Sequence, residues 1–330
     1  MDNSGKGQTC LVIGGLGFLG SHLVAALVRL GYSVRVLDVR APEPKFRESF
    51  LPVEFAVGSA SDRELLRSCL QSVDILFPFA ASGLPDSSNA DPVNDVMLNL
   101  AENVALFTLA AENGVRKIVF PSSGGTVYGI PTRLPVSETD STDPISSYGI
   151  LKLACEKYLS LFERLHGIGF VALRYGNPYG MGQDPGRKFG AVAVFLDALL
   201  RGNEIEIWGD GSNVRDFLYV DDAIEATLRA VRYNGRARVF NVGSATGTSL
   251  LELIRLLEAA TGRAAHVLYR QRRKSDVPAI VLDISRAVQE LRWTPAVDLR
   301  EGVRRTLRSM FPDASGERQR AVAQMGGVRC

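Results

Sequence analysis

Tyr148 and Lys152 stand four residues apart in the stretch YGILK, within a segment whose apolar spacing is helical. At that spacing a phenol and an ammonium share one face of a helix. A phenol titrates near ~10 and is a poor base at neutral pH, but an adjacent cation favours its phenolate. Lowering that pKa by ~3 units corresponds to ~4 kcal/mol of differential stabilisation, within reach of partly desolvated positive charge beside the ring. Upstream, SSGGTVYG (residues 122–129) follows the apolar run KIVF and sets Ser122, Ser123 and Thr126 around Gly124 and Gly125. Glycines at a strand end let a large group approach the backbone, and the hydroxyls beside them are weak acids able to touch it.

A Tyr-x-x-x-Lys pair on a helix is also common as surface decoration, so its meaning rests on the surrounding frame. The first strand, CLVIGG, runs into GGLGFLG, which contains both a Gly15–Gly17–Gly20 and a Gly14–Gly17–Gly20 spacing. Such glycines allow a tight turn, close approach to a pyrophosphate, and contact between helix and sheet. A helix starting near Phe18 and Leu19 directs free N–H groups at the phosphates. The second strand ends in Asp38, whose carboxylate can accept from a ribose 2′-OH and repels a 2′-phosphate. NAD is therefore expected over NADP, with Arg40 nearby as the feature pulling the other way.

The elements that would position these groups alternate along the first half. Strands are expected at CLVIGG, SVRVLDV, VDILFPFA, KIVFPSS and GFVALRYG. Helices are expected at GSHLVAALVRLGY, DRELLRSCL, MLNLAENVALFTLAAENG and SSYGILKLACEKYLSLFERLHG. This alternation predicts right-handed βαβ units and a doubly wound parallel sheet, an α/β fold of Rossmann type. After about residue 176 the pattern loosens into the Gly/Pro-rich NPYGMGQDPGRKFG, which reads as a functional loop, and then a smaller α/β portion. The expected organisation is a dinucleotide-binding domain over 1–175, with part of 216–245 packing back onto it. A substrate domain over 176–311 and a frayed tail over 312–330 complete it.

The chain of 330 residues carries 38 basic and 36 acidic residues, a net charge of +2, too balanced for a binder of nucleic-acid backbones. Cys10, Cys69, Cys155 and Cys330 lie far apart, and His22, His166 and His266 stand alone, so no metal site is expected. No apolar run reaches the ~18–20 residues needed to cross a bilayer. The polar start MDNSGKGQTC resembles no signal peptide, and the expectation is a cytoplasmic protein without membrane attachment.

GGLGFLG, SSGGTVYG, YGILK, LRYGNPYG and WGDGSNVRDFLYVDD, in this order, resemble the extended short-chain dehydrogenase/reductase family over about residues 8–310. Within it the chain is most similar to nucleotide-sugar epimerases of the UDP-galactose 4-epimerase type. The resemblance implies an NAD site made by Gly14, Gly17, Phe18, Leu19, Gly20 and Asp38. Ala80 and Ala81 (in PFAAS), Asn99, Ser122 and Tyr175 are implied as further cofactor contacts. It makes Tyr148 and Lys152 the catalytic pair. Asn177, Arg215 and Arg273 are assigned to the nucleotide diphosphate, where paired guanidiniums form bidentate, charge-assisted bonds. Ile280 falls where the family sets a gatekeeper beside the sugar C2 substituent, implying tolerance of plain and N-acetylated hexoses.

The departures are Ser59 in place of an acid near the adenine, Glu102-Asn103 after Asn99, and Gly124 where the family has its catalytic Ser or Thr. With the two glycines leaving room for the sugar, the missing hydroxyl is expected from Thr126, or else from Ser123. A dehydratase of this family needs an acid pair before VYG, where this chain has Gly125 and Thr126, and the glutamate of related decarboxylases is missing too. The implied reaction is inversion at C4 of a UDP-hexose, plain, N-acetylated or uronic, through a 4-keto sugar. The alternatives are a cofactor-consuming reductase or dehydrogenase, and a silent dinucleotide sensor, which would lack the Tyr/Lys pair. A homodimer through the helices at about 98–113 and 147–165 is expected by the same resemblance.

Overall fold

The computed structural model describes residues 6–44, 52–80, 85–187 and 189–310, so Ala81 and the tail expected over 312–330 lie outside the described residues. Seven parallel strands form the main sheet: β1 (Thr9–Ile13), β2 (Ser33–Asp38), β3 (Glu54–Val57), β4 (Ile75–Pro78), β5 (Lys117–Ser123), β6 (Gly169–Tyr175) and β10 (Val239–Val242). Their order is β10-β6-β5-β4-β1-β2-β3, so the chain runs outward from β1 to β3 and then returns past β1 to β4. At such a reversal the loops leaving β1 and β4 diverge to opposite faces and open a crevice at the strands' carboxyl ends.

Successive residues of each strand point to opposite faces, and both faces are dry. Val12, Val36, Phe77, Val119 and Leu173 pack on one side with the helices α1 (Phe18–Arg29) and α8 (Val220–Arg232). Leu11, Leu37, Leu76, Ile118 and Phe120 pack on the other with α2 (Arg63–Leu70), α5 (Glu102–Glu112) and α6 (Ser147–His166). Short helices α3 (Pro85–Ala90) and α4 (Pro92–Asp95) precede six residues of wider π geometry, Val96–Ala101, which run into α5.

The Gly/Pro-rich loop holds one strand that its composition hides, β7 (Asn177–Tyr179). It joins β9 (Val214–Tyr219) and β11 (Gly247–Ser249) in a three-stranded sheet, while β8 (Glu204–Trp208) pairs with β12 (His266–Arg270). Helices α7 (Ala191–Arg201), α9 (Leu250–Thr261) and α10 (Leu299–Met310) complete this smaller portion. The edge strand β10 pairs with β6, returning the chain to the main sheet.

At the amino end of that sheet, Lys117 reaches the last turn of α8 and donates to the carbonyls of Val231 (2.7 Å) and Tyr233 (2.5 Å). Burial, with Arg238 nearby, pulls its pKa from the usual 10.5 down to about 8. Between those values the unfolded chain holds the proton that the folded chain has given up, so this group adds stability as pH rises through the window. Urea titrations at pH 7.5 and pH 10 are expected to show this gain in the parent and its loss in Lys117→Met. An unchanged pH dependence in the variant would assign the effect elsewhere.

Candidate active site

The crevice is built first from backbone. Gly14 takes φ +78° and Gly17 N–H donates to its carbonyl at 3.0 Å, closing the turn after β1. A Cβ on Gly14 would meet the Ala80 amide nitrogen at 2.7 Å, and one on Gly20 would meet the Gly14 carbonyl at 2.1 Å. Gly15 is glycine for a different reason, since a Cβ there would strike the Val36 methyls at 2.7 Å. Helix α1 then begins with Gly17 at its N-cap and no side chain capping it. The N–H groups of Phe18, Leu19 and Gly20 therefore open onto the crevice with no intrahelical partner, as a pyrophosphate requires. Asp38 is buried at the end of β2 and accepts from the amides of Leu16 (3.0 Å) and Arg40 (3.1 Å), with Arg40 Nε at 3.5 Å. The carboxylate is thus fixed beside the glycine turn, and Arg40 folds back onto it and onto the Leu16 carbonyl. Ser59, in place of an acid, bonds Ser61.

The phenol and ammonium share one face of α6. Ser146 caps that helix, accepting from the Gly149 amide at 3.2 Å, so Tyr148 sits in its first turn. Lys152 is buried; its Nζ lies 5.5 Å from the Tyr148 ring centroid and 4.9 Å from that of Phe120, and donates to the Pro121 carbonyl at 2.7 Å. Asn99, in the π segment, donates to Asp95 at 2.7 Å, and Asp95 accepts from the Ser147 hydroxyl at 2.7 Å. The sequence singled out Asn99 but not Asp95 or Ser147, which tie that segment to the start of α6.

The end of β5 departs from the sequence reading at several points. Ser122 is buried and donates to Glu156 at 2.5 Å, so its hydroxyl faces the protein interior rather than a cofactor. Tyr175 is likewise turned into the core, its hydroxyl paired with that of Thr227 at 2.6 Å. Gly124 does not make room for a sugar. It is buried, and a Cβ there would meet Leu282 Cδ1 at 2.6 Å and the Arg174 carbonyl at 2.9 Å. Gly125 is the open position: the nearest atoms to a Cβ there are Asn177 Oδ1 at 3.8 Å and Ser123 Oγ at 3.9 Å. Asn177 Oδ1 and Thr126 Oγ1 are both buried without a hydrogen-bond partner in the protein, a costly state for a polar atom, and Asn177 Oδ1 is the one of the two that borders Gly125.

On the far side, Arg215 is largely withdrawn from water and donates to the Val214 carbonyl at 2.9 Å, with no ion-paired carboxylate among the described residues. Burial lowers its pKa, Asp276 partly offsets this, and Arg272 lowers it further. The Arg273 guanidinium lies 4.0 Å from the Trp208 ring centroid, a cation–π stack that holds it flat. Trp208 and Arg272 were not singled out in the sequence; WGDG and the triple-basic QRRK were the available signals. Ile280 is fully buried with Val127, Tyr128, Val136, Val277 and Leu282. It offers a ligand no surface and does not serve as a gatekeeper.

Residues 10–243 match the NAD dependent epimerase/dehydratase family. The chain belongs to that family. It is 36% identical over 302 residues to a UDP-glucose 4-epimerase of Mycolicibacterium smegmatis, covering 90% of this chain and 96% of that one. Among solved structures it is similar to a UDP-glucose 4-epimerase of Thermotoga maritima with UDP-glucose (TM-score 0.87, 36% identity, 93% of this chain and 99% of that one). A UDP-N-acetylglucosamine 4-epimerase of Methanobrevibacter ruminantium is also similar (TM-score 0.85, 28% identity, 93% and 99%). The family's NAD fits the cradle described above, because the uncapped α1 and the missing Cβ atoms of Gly14 and Gly20 leave the approach a pyrophosphate needs.

The cradle can be tested without turnover. Gly20→Ala is expected to purify with NAD content reduced at least ~10-fold, since its Cβ must displace the Gly14 carbonyl. Far-ultraviolet dichroism checks that the sheet is retained. Full cofactor occupancy in this variant would show that the close approach is unnecessary.

Proposed function

We propose that this protein inverts C4 of a UDP-hexose by oxidising it to a 4-ketone and reducing the ketone on its other face. The observation that carries this reading is the placement of Tyr148 and buried Lys152 on one face of α6, next to the strand end that carries Ser123 and Thr126. Bound NAD would supply a reversible acceptor for the C4 hydride, with no net consumption over a full turnover. The Tyr148 phenolate takes the O4 proton during oxidation and gives it back during reduction. Lys152 supplies the positive charge that favours the phenolate, its Nζ steered by the Pro121 carbonyl. Ser123 and Thr126 are the hydroxyls able to hydrogen-bond O4, and Asn177 Oδ1 is an acceptor beside the same opening. Arg215 and Arg273 grip the diphosphate, leaving the sugar free to turn between the two half-reactions.

Purified enzyme incubated with UDP-glucose, UDP-N-acetylglucosamine or UDP-glucuronic acid is expected to give the C4 epimer with no net change at 340 nm. Tyr148→Phe is expected to cut turnover by ~10²–10⁴-fold with NAD retained. Stoichiometric absorbance change at 340 nm would instead identify a reductase or dehydrogenase.

A homodimer is part of the same proposal. Val93, Val96, Met97 and Leu98 are exposed on α4 and the π segment, and Ile150, Tyr158, Leu161 and Leu165 on α6. These apolar residues line neighbouring helices that pack on each other and leave a face without a partner among the described residues. Light scattering is expected to give twice the chain mass of 35.8 kDa, and Leu161→Glu to give the single mass. A monomeric parent would refute it.

A further inference from the structure

A charged, buried network lies directly beneath the catalytic pair, and the mechanism above makes no use of it. Glu156 is one turn beyond Lys152, so Tyr148, Lys152 and Glu156 follow one line along α6. Its carboxylate accepts Ser122 Oγ at 2.5 Å and both Nε (3.0 Å) and Nη2 (2.7 Å) of Arg174. Glu156 and Arg174 are each 4% exposed. Arg174 Nη1 continues to the Tyr128 hydroxyl at 2.9 Å, which donates to Asn241 Oδ1 at 2.6 Å. The Asn241 amide nitrogen then donates to the carbonyls of Val136 (2.9 Å) and Asp283 (3.1 Å). The Val136 amide meets the Val281 carbonyl at 2.8 Å, and the Asp283 amide meets the Val136 carbonyl at 2.7 Å. From there the chain 277–283 lies against β9, with the Ile280 amide on the Val214 carbonyl at 3.1 Å, one residue from Arg215.

We propose that Glu156, Arg174 and Tyr128 are positioning residues for epimerisation, holding the end of β5 so that Lys152 stays at its working distance from Tyr148 and linking that geometry to the segment beside Arg215. Lys152 is steered by the Pro121 carbonyl, and the next residue, Ser122, is held by Glu156. The residue after that, Ser123, is a candidate hydroxyl, and Gly124 is pinned to the Tyr175 carbonyl at 2.7 Å. Four successive residues thus take their positions from α6 on one side and β6 on the other. A buried ion pair is not needed for stability here, since an apolar pair of equal volume would serve that purpose as well or better. What it adds is direction: a carboxylate fixed by a fork of N–H groups presents the second lone pair of Oε1, the oxygen already bonded by Arg174 Nε, to the Ser122 hydroxyl. The other end of the guanidinium reports, through Tyr128 and Asn241, on the segment that runs beside the diphosphate arginine.

Breaking the ion pair itself by Glu156→Gln or Arg174→Met leaves a buried group unpaired and invites unfolding. Two milder variants test the proposal. Ser122→Ala removes the bond to β5 and keeps the Glu156–Arg174 pair. Tyr128→Phe removes the link from Arg174 to Asn241 and keeps both the pair and Ser122. The expected result is a drop in kcat of ~10-fold for Ser122→Ala and ~3-fold for Tyr128→Phe, with KM for UDP-glucose within ~2-fold of the parent. The acid limb of the kcat/KM profile should move to higher pH, because a slackened Lys152 favours the Tyr148 phenolate less. The double variant should fall no further than Ser122→Ala alone, since both act on one path. Ser122→Cys, which retains a weak donor, should recover part of kcat. Unchanged kcat and acid limb in Ser122→Ala, a larger effect from Tyr128→Phe than from Ser122→Ala, or losses that follow melting temperature alone would overturn the proposal. Failure of the 4-epimerase reading is a separate result, seen in the parent enzyme as no C4 epimer from any of the three UDP-sugars.

Discussion

The structure depends on how the last residues of β5 are held against α6. A strand end exposed at the crevice would otherwise be free to fray, because beyond Ile118 its ladder partners come from β6 alone among the described residues. Two bonds from one helix face prevent this: Lys152 Nζ to the Pro121 carbonyl and Glu156 to the Ser122 hydroxyl. The groups that perform chemistry and the groups that hold the backbone are therefore interleaved at consecutive turns of α6. The phenol, the ammonium and the carboxylate come in that order because a helix repeats its face at every fourth residue. The same few ångströms decide where the Ser123 hydroxyl stands.

Charge is distributed across the crevice according to what each part must hold. On the NAD side the cation bonded to Asp38 among the described residues is Arg40, which also reaches the Leu16 carbonyl. Attraction for the pyrophosphate there comes from backbone N–H groups at the uncapped α1 rather than from side chains. Across the crevice the situation is reversed. Arg215 is partly buried near Arg272 and Asp276, and desolvation is the largest influence on its pKa, which it lowers. By the reading proposed above, Arg215 and Arg273 are the donors for the diphosphate. The Trp208 ring keeps one of those donors flat and ready. Gly125, by contrast, is left open.

The elements were legible because period and punctuation agree. KIVFPSS is β5 residue for residue, and the helix carrying YGILK starts at its Ser146 cap and ends at Gly167, which takes φ +71°. Local rules of capping and left-handed glycine determine both ends, so sequence suffices. The π segment and β7 were not legible. The first differs from an α-helix by one hydrogen-bond step that composition does not encode, and the second is a three-residue strand inside a run of Gly and Pro. Within the site, backbone-determined positions such as Gly14 and Gly20 could be read from spacing. Side-chain directions could not. Ser122, Ser123 and Thr126 look alike as a string of hydroxyls, yet one is bound to Glu156, one borders the opening, and one is buried without a partner.

Gly124 illustrates why the rest was out of reach. In sequence a glycine next to hydroxyls suggests a gap for a ligand, and the two glycines of SSGGTVYG are indistinguishable. Their difference arises from Leu282, more than 150 residues away, whose methyl group occupies the place a Cβ on Gly124 would take. Leu282 is held there because its amide donates to Asp216 at 3.1 Å, and Asp216 is fully buried beneath the 243–245 turn, accepting also from Ser244. The buried carboxylate, its pKa raised by burial, thus sets which of two adjacent glycines is packed and which is open. The opening at Gly125 is consequently a property of the tertiary fold. It exists only once β9, the 277–283 segment and the end of β5 have come together.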